Sequence, residues 1–211
     1  MKRILILSAH PNPSQSHVNR MMSAMAASLS GVTLVDLYAL YPRFKIDIDA
    51  EQQRLLEHDV IVFQFPIYWY STPALLKEWQ DLVLEHGFAY GSDGCRLAGK
   101  LFLVAATAGA AEHDYAKEGR NHFPMRTLLS PLEQTAQLCR MRYLPPLMLF
   151  SSLQASHDER ARQHVVRYRQ VLEGLRDEQL DIERAMSQEL LDHPDVPMLN
   201  DSNGRQGDAR G

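Results

Sequence analysis

The amino-acid sequence predicts an α/β fold, a doubly wound five-stranded parallel sheet with helices on both faces. Short and nearly uninterrupted apolar runs recur along the chain, as in strands that are buried on both sides of a parallel sheet. Polar loops and segments with helical periodicity separate these runs and are long enough for right-handed crossovers. The 211 residues suffice for one substantial core, so we expect one domain.

Five apolar segments are predicted as the strands: residues 3–8, 32–37, 60–65, 101–106 and 141–150. Most of their residues are aliphatic, β-branched or aromatic, and polar residues, glycine or proline bound them. The fifth segment contains Pro145 and Pro146. Because proline cannot donate a ladder hydrogen bond, this segment suits a strand at an edge of the sheet or one with a bulge.

Five segments are predicted as helices: residues 17–29, 49–58, 73–86, 124–139 and 156–191. Gly31 supplies the stop after the first helix, and Asp49 can cap the second. Ser71 or Thr72 can cap the third, in which Pro73 takes the first position. An irregular stretch separates the second strand from the second helix.

The last two helical segments differ in character. The fourth has apolar residues at helical spacing on a predicted core face: Met125, Leu128, Leu129, Leu132 and Leu138. The fifth is longer than a core helix needs, and we expect it to break near Gly174. From residue 194 the chain has little apolar surface to bury, which predicts a disordered tail over 194–211 and a single domain over 1–193.

The composition excludes several classes of protein. The chain has 45% hydrophobic residues, 23% charged residues and a formal net charge of −4, so nucleic acid is not an expected partner. No basic and apolar leader opens the chain and no apolar segment approaches eighteen residues, which disfavours secretion and membrane spanning. Cys95 and Cys139 form no CxxC pattern, and the histidines lack metal-ligand spacing. We therefore expect a cytoplasmic protein with reduced thiols and no metal.

The loop after the first strand, "SAHPNPSQSHVNR", is rich in short polar side chains. In doubly wound sheets ligands bind beyond the carboxyl ends of the strands. Ser16, His17, Val18 and Asn19 stand at the start of the first helix, where free N–H groups and the helix dipole favour an anion such as phosphate. His10, at the strand exit, could donate to a phosphate oxygen. Alternatively, Ser16 simply caps the helix and His10 is a packed polar residue.

This loop does not match the common nucleotide-binding motifs. It contains neither the dinucleotide pattern GxGxxG nor the P-loop pattern GxxxxGK[ST]. A glycine-free loop argues against a nicotinamide-binding Rossmann half and against nucleoside triphosphate hydrolysis. A phosphate that this loop binds is therefore expected to belong to another cofactor.

The loop after the third strand, "PIYWYSTP", places three consecutive aromatic residues at a strand end. Aromatic clusters usually belong to a core, but consecutive residues that leave a strand cannot all point into one core. Flat side chains and backbone polar groups suit a large heteroaromatic ring such as an isoalloxazine. The candidate ring-binding residues of this loop are Pro66, Ile67, Tyr68, Trp69 and Tyr70.

The loop after the fourth strand is built from small residues. Thr107, Ala108, Gly109 and Ala110 would let the edge of a ligand approach the backbone closely, although such a sequence is more often just a turn. Together the three loops predict a mononucleotide across the strand ends. Its phosphate would lie at the first helix and its ring between the other two loops.

Several long motifs, in one order, resemble those of a known family. The stretches "AHPNPSQSHVNR", "LYALYPRFKIDIDAEQ", "VFQFPIYWYSTPALLKEW", "HGFAYG", "LAGK" and "MRYLPP" lie between residues 2 and 173. The chain resembles the flavodoxin-like NAD(P)H:quinone oxidoreductases, and specifically the ancillary oxidoreductases of bacterial glutathione-gated potassium efflux systems. The resemblance implies a flavodoxin-like fold and a bound flavin, FMN in the ancillary branch or FAD in the mammalian quinone reductase branch.

The resemblance also implies an activity and partners. NAD(P)H would reduce the flavin, and a quinone or similar electrophile would take the electrons in a ping-pong order. Relatives pair as homodimers, and a potassium efflux channel could hold the protein at the periphery of the inner membrane. The alternative is a regulatory subunit that binds such a channel and whose redox activity is incidental or lost. The sequence does not distinguish NADH from NADPH and does not identify the acceptor.

By position, the resemblance places the phosphate at His10 and residues 16–19, the ring at residues 67–70 and its far edge at residues 107–110. One departure is that the family often has Thr-Thr-Gly-Gly where this chain has Thr-Ala-Gly-Ala. Tyr115 matches a tyrosine that assists hydride transfer in the mammalian branch, which makes it the candidate catalytic residue. The histidine six positions further on is replaced by Asn121, so no catalytic histidine is assigned.

Overall fold

The computed structural model describes residues 1–155, 158–191 and 196–199. Its parallel strands form one sheet with the order β2-β1-β3-β4-β5, and β6 also pairs with β4. The strands are β1 (Ile4–Ser8), β2 (Val32–Asp36), β3 (Val60–Pro66), β4 (Leu101–Thr107), β5 (Arg142–Tyr143) and β6 (Leu147–Leu149). Every residue of β1, β3 and β4 is buried. The predicted doubly wound parallel sheet is confirmed.

Helices cover both faces of this sheet. They are α1 (His17–Ala27), α2 (Leu37–Leu40), α3 (Ile48–Glu57), α4 (Ala74–Val83), α5 (Met125–Leu128), α6 (Ser130–Leu138), α7 (Ser152–Ala155), α8 (Arg160–Arg176) and α9 (Ile182–Met186). One core lies between the sheet and the α1/α8 pair. The other lies between the sheet and helices α3 to α6. The alternation of buried side chains along β1 divides them between the two cores.

The predicted fifth strand is divided in two. β5 pairs with Leu101 and Phe102 of β4, and β6 pairs with the stretch from Ala105 to Thr107. Pro145 and Pro146 lie between the two strands. Because neither proline can donate to the ladder, pairing stops there and resumes beyond them, at the edge where the sequence placed this strand.

The structure corrects three local predictions. The stretch after β2 contains the short helix α2, in which the Asp36 carboxylate accepts a hydrogen bond from the Ala39 N–H. Asp47, not Asp49, caps α3 by accepting from the Ala50 N–H at 3.0 Å. Neither Ser71 nor Thr72 caps α4, because Pro73 is its N-cap residue. A proline that precedes a helix cannot supply a side-chain acceptor, so this helix begins without one.

The long helical segments are shorter than predicted. Residues 124–139 form α5 and α6, with Pro131 in the first turn of the second helix. Leu138 is 56% exposed, so its predicted place on the core face is wrong, whereas Ala136 and Cys139 are buried. The last segment, residues 156–191, contains α8 and α9 rather than one helix, and α8 ends at Arg176, two residues beyond the predicted break.

Part of the predicted tail has a defined place. The Asp181 N–H donates to the Pro197 carbonyl, and the Leu199 N–H donates to the Gln179 carbonyl. Val196 is buried in the core beside α8. The prediction of a disordered tail is therefore wrong for residues 196–199. The other residues of the predicted tail, 194–195 and 200–211, lie outside the described residues.

A buried hydroxyl on α8 predicts a stabilising substitution. Tyr168 is fully buried, and its hydroxyl has no hydrogen-bond partner in the described part of the chain. Burial raises the pKa of this phenol. Tyr168→Phe should increase the free energy of unfolding by about 1 kcal/mol, because it removes a polar group that lost its water without a replacement. Urea unfolding measures the change.

Tyr41→Phe is the matched control for this substitution. The Tyr41 hydroxyl is buried too, but it donates to the Glu51 carboxylate at 2.6 Å. Its removal leaves a buried acceptor short of one hydrogen bond and should lower the free energy of unfolding by about 1–3 kcal/mol. A destabilised Tyr168→Phe protein would contradict the assignment of an unsatisfied hydroxyl.

Candidate functional site

The carboxyl ends of the strands open into a cavity of about 430 Å³. Its walls come from the loops after β1, β3, β4 and β6. The lining residues are His10, Gln15, Ser16, His17, Val18, Asn19, Pro66, Ile67, Tyr68, Thr107, Gly109, Ser152 and Leu153. The structure therefore brings the three predicted loops together around one space. Its volume lies in the usual range for small-molecule sites.

Four predicted cofactor-binding residues do not line this cavity: Trp69, Tyr70, Ala108 and Ala110. Trp69 is 93% exposed, so its side chain does not form the predicted wall of a ring site. The Tyr70 hydroxyl donates to Asn121 at 3.2 Å. Ala108 is buried in a core, and the Ala110 carbonyl accepts from the Ser151 N–H. Of the three aromatic residues, only Tyr68 lines the cavity.

A tight turn explains why these aromatic side chains diverge. Tyr68 and Ser71 exchange two backbone hydrogen bonds of 3.1 and 3.0 Å. Trp69 and Tyr70 between them have positive φ angles of 46° and 65°. Positive φ at both central positions defines a type I′ turn, which usually contains Asn and Gly. Each bulky residue there costs about 1–2 kcal/mol, and such strain concentrates at functional sites.

His10 presents a hydrogen-bond donor at the β1 exit. The Asn12 N–H donates to His10 Nδ1 at 3.1 Å, so the neutral ring carries its proton on Nε2. Burial lowers the pKa of His10, and the Asp36 carboxylate opposes this effect. The ring lies edge-on to Tyr68, with centroids 6.0 Å apart. A neutral His10 with a free Nε2–H suits an acceptor in the cavity.

The start of α1 has no side-chain cap. Ser16 is its N-cap residue and is buried, yet its hydroxyl makes no capping hydrogen bond. The alternative interpretation, in which Ser16 simply caps the helix, is therefore not what the structure shows. The first N–H groups of an α-helix lack backbone partners, and the helix dipole makes this end positive. The first turn, with Val18 and Asn19, can therefore bind an anion.

Asn19 joins this helix to the end of β4. Its Nδ2 donates to the Thr107 hydroxyl at 3.1 Å, and its Oδ1 has no partner within the described residues. A hydroxyl both donates and accepts, so the opposite amide orientation keeps the bond to Thr107. That orientation would place the amide donor where the unpartnered oxygen lies. A ligand with acceptor oxygens would then satisfy the one open position of this buried amide.

Sequence reasoning missed three residues that line the cavity, Gln15, Ser152 and Leu153, and the buried Gln64 behind them. Ser152 lines the cavity at the start of α7, held there because its N–H donates to the Ala108 carbonyl at 2.9 Å. Gln64 lies directly beneath the site on β3 and is 1% exposed. The sequence contains an indication of the role of Gln64, because Gln64 is the one polar residue in the apolar run "VIVFQFP". It contains none for Ser152, because nothing local shows that its loop returns to the β4 end.

Tyr115 lies beside the cavity rather than in its wall. Its ring packs against Phe150 with centroids 5.5 Å apart, and it borders the core. Burial is the main cause that raises the pKa of Tyr115, and the nearby Tyr70 adds to it. Asn121, at the position where a relative's histidine would stand, accepts from Tyr70 instead. The catalytic role of Tyr115 stays a prediction.

The donor set and shape of the cavity fit a nucleotide with a flat ring. The uncapped helix start, the His10 Nε2–H and the amide of Asn19 are all suited to a phosphate. Tyr68, whose ring lies edge-on to His10, completes the wall together with Ile67 and Gly109. Apart from Gly109 and its two chain neighbours, no atom of the described residues lies within 4 Å of the position that a Cβ on Gly109 would take, so the backbone is open to a ligand there.

Comparison with known proteins identifies similar chains. A family model described as "Flavodoxin-like fold" matches residues 2–172. A glutathione-regulated potassium-efflux system ancillary protein, KefG of Pectobacterium carotovorum, is 51% identical over 148 residues, which are 70% of this chain and 81% of that protein.

Two solved structures resemble the fold closely. General stress protein 14 of Treponema denticola, in complex with FMN, is 39% identical with a TM-score of 0.77 and covers 82% of this chain and 99% of its own. An NADPH-quinone reductase of P. pentosaceus is 32% identical with a TM-score of 0.72. The match covers 80% of this chain and 96% of that chain. Within the described residues, no helix has the length and apolarity needed to cross a membrane.

Proposed function

The chain belongs to the flavodoxin-like fold family, and from this we propose that it is a flavin-dependent NAD(P)H oxidoreductase with FMN as cofactor. A quinone or similar electrophile is the acceptor, and the two substrates react in ping-pong order. The observation that carries the proposal is the cavity at the strand ends. It combines an uncapped helix start with an aromatic wall. The FMN complex and the NADPH-quinone reductase among its structural relatives support this assignment.

The residues of the cavity divide between the two parts of the cofactor. His10 and residues 16–19 hold the phosphate, and the segment from Pro66 to Tyr68 holds the ring together with Thr107 and Gly109. The bound flavin supplies the hydride acceptor and donor, which the amino-acid side chains lack. FAD is the alternative cofactor, and it requires room for an adenosine part beyond this cavity.

The strained turn offers donors for the polar edge of the ring. The N–H groups of Ile67, Tyr68 and Ser71 are already bonded within the protein. Those of Trp69 and Tyr70 make no hydrogen bond in the described part of the chain. Their positive φ angles keep these two donors out of the regular ladder. Because neither residue lines the cavity, we assign these donors to the part of the ring that extends past the cavity wall, so that Trp69 and Tyr70 contribute through the backbone rather than through their side chains.

Ping-pong order follows from a single open cavity. NAD(P)H occupies the space beside the ring first, leaves, and the acceptor then enters the same space. Tyr68 forms part of its wall, and we propose from the resemblance alone that Tyr115 assists the reaction of the second substrate. A homodimer is expected because symmetric dimers are the commonest oligomers and relatives pair in this way. We place the protein in the cytoplasm.

The absorption spectrum of the purified protein tests this proposal most directly. We expect a flavin spectrum, and heat release followed by mass analysis should identify FMN rather than FAD. NADPH or NADH should bleach the spectrum without oxygen, and a soluble quinone should restore it. A colourless protein that takes up neither added FMN nor added FAD would remove the proposal.

A second candidate function is that of an ancillary subunit on a potassium efflux channel. The 51% identical KefG protein favours it, and redox activity would then be incidental to binding at the inner membrane. A tagged chain should reach the membrane fraction only in cells that carry such an efflux system. A cavity variant without flavin tests whether recruitment depends on the redox site, and both functions can coexist.

The lowered pKa of His10 predicts a pH dependence of FMN binding. A phosphate dianion favours the imidazolium form, in which Nδ1 gives up its bond from the Asn12 N–H, so binding raises the pKa that burial had lowered. The complex therefore takes up a proton, and FMN affinity should increase as the pH falls toward the lowered pKa of His10 in the free protein. Titrations at several pH values measure this. In the His10→Gln variant, FMN affinity should no longer change with pH. A pH dependence equal to that of the wild type would show that another group titrates.

A further inference from the structure

A buried glutamine behind the cavity carries an inference that rests on the proposed function. Gln64 lies on β3 between the neighbouring strands β1 and β4, paired with Ser8 and Ala105. It is 1% exposed in a strand whose every residue is buried. A polar side chain in such a place is costly unless hydrogen bonds satisfy it. Its partners therefore indicate what the residue does.

The Gln64 amide binds the first two turns of α1. Its Nε2 lies 2.8 Å from the Ser23 hydroxyl and 3.3 Å from the Asn19 carbonyl oxygen. The contact with the Ser8 hydroxyl is longer, at 3.5 Å. An amide nitrogen has two protons, which suffice for the two shorter contacts. Gln64 thus holds the N-terminal part of α1 directly onto the centre of the sheet.

Asn19 is fixed from two sides by this arrangement. Gln64 holds its backbone carbonyl, and Thr107 holds its side-chain amide. Within the described residues, Oδ1 is the amide atom of Asn19 that has no partner, in a residue that lines the cavity. The position of the helix start relative to the strand ends is therefore set in part by Gln64, which does not itself line the cavity.

We infer that Gln64 is a positioning residue that sets the phosphate end of the cavity by pinning Asn19 and the first turn of α1. Its contribution is to orient donors before the ligand arrives, so that FMN orders fewer groups when it binds. The effect should depend on the phosphate. Riboflavin has the same ring but no phosphate, so it does not use the helix start.

The test is a comparison of FMN and riboflavin affinities. Gln64→Leu and Gln64→Met remove both N–H donors while they keep the side chain apolar and of similar size. Each should raise the FMN dissociation constant by about tenfold, the loss expected for one misplaced charge-assisted hydrogen bond. Riboflavin affinity should change by less than about twofold. Fluorescence titration of cofactor-free protein measures both, and urea unfolding shows whether each variant is folded.

Tyr41→Phe is the control for a merely structural effect. It also removes a buried hydrogen bond, but one between the end of α2 and α3, away from the cavity. It should lower stability and leave both affinities unchanged. An equal loss of FMN and riboflavin in the Gln64 variants, or no loss in a folded variant, would overturn the inference. A wild-type protein that binds neither ligand would instead refute the proposed function.

Discussion

The double variant His10→Ala/Asn19→Ala is expected to bind FMN at least about a hundredfold more weakly than the wild type. Each side chain offers one donor to the phosphate, and a hydrogen bond to a charged group contributes about 1.5–3 kcal/mol. Both residues line the cavity, and the Nε2–H of His10 is the donor that its bond from Asn12 leaves free. Titration of cofactor-free protein with FMN, followed by fluorescence, measures the loss.

The fold of this double variant should persist. His10 is half-buried at a loop, and truncating Asn19 removes a single bond, to Thr107. His113→Ala is the matched control, because the His113 side chain is 86% exposed in the loop after β4. It should bind FMN as the wild type does. An unchanged cofactor content in the double variant would show that the phosphate lies elsewhere in the molecule.

Trp79→Ala is expected to lower the free energy of unfolding by about 3–5 kcal/mol. Trp79 is fully buried on α4, and its ring lies edge-on to Phe63 of β3 with centroids 5.6 Å apart. Its Nε1 donates to Glu51 at 2.9 Å. Truncation therefore leaves a large cavity between helix and sheet, together with a buried carboxylate oxygen without that donor. This loss is a large fraction of the total stability of a typical domain.

Two further variants separate these contributions. Trp79→Phe keeps most of the ring but removes the donor to Glu51, whose other oxygen still accepts from Tyr41 and pairs with Arg54. Its free energy of unfolding should lie between that of the wild type and that of Trp79→Ala. Leu138→Ala, on the exposed face of α6, should change stability by less than about 0.5 kcal/mol. Urea unfolding measures all three, and equal losses for Trp79→Ala and Leu138→Ala would refute the packing argument.

The first loop illustrates what local sequence shows well. Its short polar side chains after a buried strand predict an anion site, and the structure places His10 and residues 16–19 around one cavity. The first helix ends at Ala27 with Ser28 as its C-cap, so Gly31, with a φ of 77°, follows the helix end rather than forming it. The arrangement of the first loop is predictable because helix starts and buried strands each depend on a few neighbouring residues, and the anion itself stays a prediction.

The aromatic loop illustrates where local reasoning fails. Three consecutive aromatic residues predict ring walls, yet only Tyr68 lines the cavity. The directions of Trp69 and Tyr70 depend on the backbone bonds between Tyr68 and Ser71. The predicted caps of α3 and α4 are wrong for a related reason. A shift of two residues changes which side chain faces the free N–H groups at the start of the helix.

The sequence by itself determined the parallel sheet, the order of its elements and the three loops that carry the chemistry, because hydrophobic periodicity and turn residues act over a few positions. Only the tertiary structure decided which side chains meet. It brought Ser152 to the cavity and placed Gln64 beneath Asn19. Such positions depend on contacts between residues far apart in the chain, as with Gln64 and Asn19, which are 45 residues apart. Such contacts follow from how strands and helices pack, which no local pattern encodes.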